Sequence, residues 1–193
     1  MHLNSNRSEN NFIIVDCSAV KESIADSMLF GHKKGALPGA VRNRTGLITR
    51  ADKGTLFLDE VSELPLPAQA SLLRVMESRA VIPLGAEMEK TSNFRVIAST
   101  SKDLDRLGRE GKFHKELLLI LKGVCIHLPP LRQIQADAVK IALYDIDRSC
   151  KKCKIDTKGV SPEFLDILTA YEWPGNVAEL TGAMDKAVAS AKK

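Results

Sequence analysis

Four short, almost unbroken apolar runs constrain this chain more than any other feature: FIIVDC (residues 12–17), TLFLDE (55–60), FRVIAST (94–100) and GVCIHLP (123–129). Polar residues do not alternate through them, so they read as strands of a parallel sheet covered on both faces. Between them the period lengthens. LPAQASLLRVMES sets Ala68, Leu72, Val75 and Met76 at helical spacing after a proline-rich start. DLDRLGREGKFHKELLLIL offers a second helical stretch, interrupted by glycine. Strand, helix and strand in alternation predict an α/β domain. Beyond LPPLRQIQ the pattern becomes helical throughout, in ADAVKIALYDIDRSCKK, SPEFLDILTAYEW and NVAELTGAMDKAVASAKK. Ser161 and Pro162 suit the cap and first turn of the middle helix. The expected organisation is an α/β core over residues 1–130 and a small helical domain over 131–193.

Composition narrows the function classes. A net charge of +4 on 193 residues, with the basic residues scattered, gives little electrostatic support for nucleic-acid binding. No apolar run approaches the roughly 20 residues of a membrane helix, and MHLNSNRSENN lacks the apolar centre of a secretory signal, so a cytoplasmic protein is expected. Cys17 and Cys125 lie in apolar runs and read as small buried hydrophobes. Cys150 and Cys153 form a single CxxC; a structural zinc site normally takes four ligands, and no second pair accompanies them. His32 and His127, one after LFG and one inside an expected strand, read as structural.

The run GTLFLDE ends in two adjacent carboxylates, Asp59 and Glu60. In an open parallel sheet the carboxyl ends of the strands face the ligand crevice. An aspartate there can hold a magnesium-nucleotide, and the next carboxylate can polarise the attacking water. The competing reading is that one of the pair merely caps the following turn in DEVSELPL.

Taken together with LFGHKKGALPGA (29–40), LPPLR (128–132) and YEWPGNVAEL (171–180), this strand resembles the AAA+ domain of bacterial sigma-54-dependent activators over roughly residues 2–190. The family's counterparts are LFGH-x-x-GAFTGA, the exit from the last strand, and a WPGNVREL lid helix. The resemblance implies a P-loop NTPase-like parallel sheet followed by an α-helical lid. It further implies ATP and Mg2+ as cofactors, Asp59 on the magnesium side, Glu60 activating water, and a sigma-54 contact loop at Gly35, Ala36, Leu37, Pro38, Gly39 and Ala40. Implied partners are the sigma-54 RNA polymerase holoenzyme and further subunits of a ring, either copies of this chain or intact activators. Direct DNA binding is not expected.

The departures from the family pattern fall on polar positions. The phosphate-binding loop and first strand would precede Met1, and GREGK (108–112) has neither a strand before it nor a hydroxyl residue after Lys112 to replace that loop. The missing strand would sit between those resembling FRVIAST and GVCIHLP, so unpaired backbone is expected there. Asp16 stands where an asparagine holds the Walker B glutamate, and a carboxylate beside Asp59 and Glu60 is expected to repel them or take up a proton. Ser101 stands at the phosphate-sensing asparagine, His114 and Ile120 at the two arginines that reach a neighbouring subunit, and Ala178 at the lid arginine. Leu37 and Pro38 replace the aromatic and threonine of the contact loop, which leaves retained sigma-54 contact and a plain surface turn both open. The expectation is a sigma-54 interaction domain with ATP binding and hydrolysis lost, against a nucleotide-independent module that binds sigma-54 or intact activators, or a gene remnant without activity.

Overall fold

The computed structural model describes residues 1–156 and 159–191; the last two lysines of the expected C-terminal helix lie outside the described residues. The chain divides into two compact units, Met1–Cys125 and Ile126–Lys193.

In the first unit, β1 (Phe12–Asp16) leads through α1 (Glu22–Leu29), the short strands β2 (Gly31–His32) and β3 (Arg44–Thr45) and α2 (Leu47–Arg50) to β4 (Thr55–Asp59). Then follow α3 (Leu66–Ser78), β5 (Ala80–Val81), β6 (Lys90–Thr91), β7 (Arg95–Ala98), α4 (Leu104–Arg109) and α5 (Lys115–Leu121). The main sheet has the order β1-β4-β7 and is parallel throughout, as the apolar runs predict. Its register sets Asp16 opposite Asp59 and Ala98 opposite Leu58, so all three strands end at one level. Gly54 makes the approach to β4 possible: a Cβ there would lie 2.1 Å from the carbonyl oxygen of Asn11.

One sheet face carries Val15, Leu56 and Leu58, fully buried in a core with Leu29, Ile48, Leu72 and Leu117. The helix read from LPAQASLLRVMES forms as expected, with Ala68, Leu72 and Val75 buried and Met76 packed at the margin. Gly111, at φ +70°, separates α4 from α5 and accounts for the break in the second helical pattern.

Two expectations are corrected. The sheet is not covered on both faces, because Phe12 and Ile14 remain 41% and 60% exposed, with Phe12 stacked on Phe57 at a centroid distance of 6.0 Å. Residues 123–129 form no strand, and this run, expected to be buried, is open to solvent: Val124 is 85% exposed, Leu128 83%, and Cys125 is exposed, not buried. A strand exists only where a neighbour supplies its ladder. Among the described residues β7 pairs with β4 alone, and nothing occupies its second edge. His127 consequently lies in irregular chain rather than in a strand.

The second unit consists of α6 (Gln135–Cys153), α7 (Pro162–Ala170) and α8 (Asn176–Ser190) around Leu131, Ala142, Leu168, Trp173, Leu180 and Met184. Ser161 caps α7 by accepting from the Phe164 amide, as its position predicts. Thr181 Oγ1 donates to Asp145 Oδ2 at 2.6 Å, tying α8 to α6, and the Trp173 indole donates to the Leu168 carbonyl at 2.9 Å. Cys150 is buried and Cys153 half-buried, and no group of three or more metal-ligating side chains forms among the described residues.

Leu72 is fully buried at the centre of the first core, whereas Leu119 is 72% exposed. Truncation of Leu72 to alanine is expected to cost about 2–5 kcal/mol. Leu119→Ala is expected to change stability by about 0.5 kcal/mol or less. Paired denaturant titrations check the contrast, and equal losses would contradict this core assignment.

Candidate functional site

Parallel register brings the sheet's polar groups to one end. β4 finishes at Asp59, and Glu60 turns the chain with φ 50° and ψ 55°, a left-handed conformation that costs a non-glycine residue on the order of 1 kcal/mol. The residues that follow β7 hold this turn. Ser99 Oγ donates to Asp59 Oδ1 at 2.5 Å and accepts from the Glu60 amide at 3.2 Å. Both the amide and the hydroxyl of Ser101 donate to Glu60 Oε2, each at 3.1 Å. Lys102 pairs with Glu63 at 2.5 Å. Glu60 precedes the 3-10 turn Val61–Glu63 but its side chain makes no capping bond, so the capping alternative does not describe it.

Asp16 is engaged within its own turn: its Oδ1 accepts from the Ser18 amide at 3.0 Å and the Ser18 hydroxyl at 2.6 Å. The Ser18 hydroxyl bond, outweighing desolvation, holds the Asp16 carboxyl below its ordinary range. With the folded value below the unfolded one, the stabilisation is present above the ordinary carboxylate range and is lost as pH falls through the folded value. Cys17, fully buried beside it, is displaced the other way: burial first, then the charges of Asp16, Asp59 and Glu60, pushes its thiol up to about 12.

His114 and Ile120 sit at the two ends of α5. The His114 amide donates to Gln69 Oε1 at 2.8 Å, Gln69 Nε2 donates to the Leu64 carbonyl at 2.7 Å, and the His114 ring Nδ1 is buried with no hydrogen-bond partner among the described residues. Ile120 is exposed. Ala178 is an exposed residue of the first turn of α8.

The loop bearing Gly35–Ala40 stands on the β2–β3 pair, in which Gly31 faces Thr45 and His32 faces Arg44. The Gly35 amide donates to the Ala40 carbonyl at 2.8 Å, the Ala40 amide to Leu37 at 3.0 Å, and the Lys34 amide to Asn43 Oδ1 at 2.8 Å. Gly35 and Gly39, at φ +82° and +80°, close the tip around half-buried Leu37 and exposed Pro38. Ala36 packs against Gly85, where an added Cβ would lie only 2.7 Å from that of Ala36. His32 shares a 2.7 Å hydrogen bond with Ser27, matching its structural reading.

Ser99, Gln69 and Asn43 are the residues that sequence reasoning passed over. Ser99 was accessible in part: it follows Ala98, and once Ala98 pairs with Leu58 the next residue must stand opposite Asp59. Asp59 and Glu60 provide carboxylates at the sheet's end, and GREGK lies at the end of α4 with Lys112 paired to Glu110 at 2.8 Å.

A parallel α/β sheet with adjacent carboxylates at the end of a central strand, in one chain with a separate helical unit, is the AAA+ arrangement. Residues 1–127 match the sigma-54 interaction domain family and residues 132–193 the AAA+ ATPase lid domain. The chain belongs to the sigma-54 interaction domain family. It is 39% identical to the regulatory protein AtoC of Escherichia coli over 188 residues, 97% of this chain and 41% of AtoC. Transcriptional regulatory protein ZraR of Klebsiella oxytoca is 38% identical, over 97% of this chain and 42% of its own length. The chain thus spans about two fifths of these relatives. NtrX of Brucella abortus, crystallised with ATP, superimposes with a TM-score of 0.87 at 24% identity, over 98% of this chain and 41% of NtrX, and shares the fold.

The buried, raised Cys17 thiol is expected to resist modification at pH 8, while exposed Cys125 reacts readily. Mass mapping after brief alkylation of the native chain checks this, and equal labelling of the two thiols would contradict the burial of the β1 end.

Proposed function

We propose that this chain is the sigma-54-facing AAA+ module of a bacterial transcriptional regulator, its nucleotide binding and turnover lost. In this reading residues 1–130 form the core and 131–193 the lid. Asp59 and Glu60 are the surviving metal-side and water-side carboxylates, and Gly35–Ala40 is the surface presented to sigma-54 polymerase in the cytoplasm. No contact with DNA is assigned to it.

The single observation that carries the loss is the pair of residues on α5. A residue that stabilises phosphoryl transfer in a neighbouring subunit must reach outward with a fixed positive charge. His114 buries its Nδ1, and Ile120 is exposed but apolar. Asp16, committed to Ser18, and Ala178, with no charge, support the same reading.

A second reading has one observation in its favour. Ile120, with Leu119 beside it, leaves exposed apolar side chains at one of the two positions where the resemblance places arginines, which suits a module that joins intact activators or sigma-54 without nucleotide.

Thermal melting of the 193-residue chain with and without magnesium-ATP tests the proposal. A nucleotide present at 100 times its Kd would stabilise the fold by about 2.7 kcal/mol. The expected result is no shift up to millimolar nucleotide, and a clear upward shift would contradict the loss of binding.

A further inference from the structure

The two carboxylates are flanked by different neighbours on the two sides of β4, and only one side holds them. On the β1 side, Asp16 lies opposite Asp59 in the ladder, but an ionised carboxylate can only accept, and both of its bonds go to Ser18. On the β7 side, Ser99 and Ser101 offer donors. The Ser99 hydroxyl has one proton and two lone pairs, so its single donation goes to Asp59 Oδ1 while a lone pair takes the Glu60 amide. This one oxygen therefore couples the Asp59 carboxylate to the backbone of Glu60. Ser101 closes a fork on Glu60 Oε2 from its amide and its hydroxyl. Hydrogen bonds to ionised acceptors are shorter and stronger than neutral ones, and here they help to offset the left-handed turn at Glu60.

We propose that Ser99 and Ser101 are the positioning residues of the Asp59–Glu60 pair, so that Glu60 is held from the segment beyond β7 and not from position 16. The consequence for nucleotide chemistry rests on the reading of these carboxylates given above; the hold itself does not. Glu60 is then oriented by whatever fixes the end of β7, and Asp16 has no part in it. Asp16→Asn alone would not draw Glu60 to the β1 side while Ser101 keeps its fork.

Solution NMR of the full 193-residue chain tests this without nucleotide, so its outcome is independent of the melting experiment. Ser101→Ala is expected to shift the Glu60 side-chain carboxyl carbon resonance, and Ser101→Thr, which keeps the hydroxyl, to restore it. Ser99→Ala is expected to shift both the Asp59 carboxyl carbon and the Glu60 amide. Asp16→Ala is expected to shift the Ser18 amide while leaving the Glu60 carboxyl in place. Amides of α6 serve as the fold control in every variant. Movement of the Glu60 carboxyl on Asp16→Ala, or its indifference to Ser101→Ala, would overturn the proposal.

Discussion

The register of three parallel strands is the constraint on which the site depends. With Asp16 opposite Asp59 and Ala98 opposite Leu58, the residues just past each strand share one edge of the sheet. A shift by one residue would move Leu56 and Leu58 from the core to the opposite face, so the apolar pattern fixes the register with some force. The polar groups are carried there as a result. Asp59, Glu60, Ser99 and Ser101 meet because buried leucines and valines lock the strands beneath them.

In the proposed reading, scaffold and chemistry have diverged in this chain. The core around Leu29, Leu56 and Leu72 is complete on its face of the sheet, Gln69 ties α3 to the start of α5, and the loop over Gly35–Ala40 is braced by Asn43 and Gly85. On that reading, Asp16, His114 and Ile120, where the family pattern is lost, lie outside the buried core cluster. Asp16 has found Ser18, and Ile120 faces solvent. His114 contributes its backbone amide to Gln69, a contact that any residue except proline could make. Stability therefore gives no protection to these positions.

Much of this was legible in the amino-acid order. The runs at 12–17, 55–60 and 94–100 became β1, β4 and β7, because their β-branched and aromatic residues suit a packed sheet. Ser161 capped its helix, and a glycine divided α4 from α5. GVCIHLP had the same local character and failed, since a strand is a property of a pair and no neighbour lies on that edge of β7 among the described residues. The open face at Phe12 and Ile14 was misread for a related reason: apolar content marks what could be buried, not what is there to cover it. The diversion of Asp16 to Ser18 was hidden because a side-chain turn two residues long competes with any long-range partner and leaves no periodic trace. The left-handed Glu60 had no sequence signal, as the glycine or asparagine that usually marks such a turn is absent.

The proposed loss of turnover leaves the carboxylates in place without the transition-state charge, and phosphate release measures it most directly. With a family-type strand and glycine-rich phosphate loop fused ahead of Met1 to supply a phosphate cradle, turnover would depend on the remaining groups. An arginine finger is worth about 10³–10⁵ in rate in other phosphoryl-transfer systems. At concentrations that permit assembly, the fused protein is expected to release phosphate at background, and His114→Arg with Ile120→Arg to raise that rate by orders of magnitude. Brisk hydrolysis by the fused protein without those arginines, unchanged when they are added, would contradict the account.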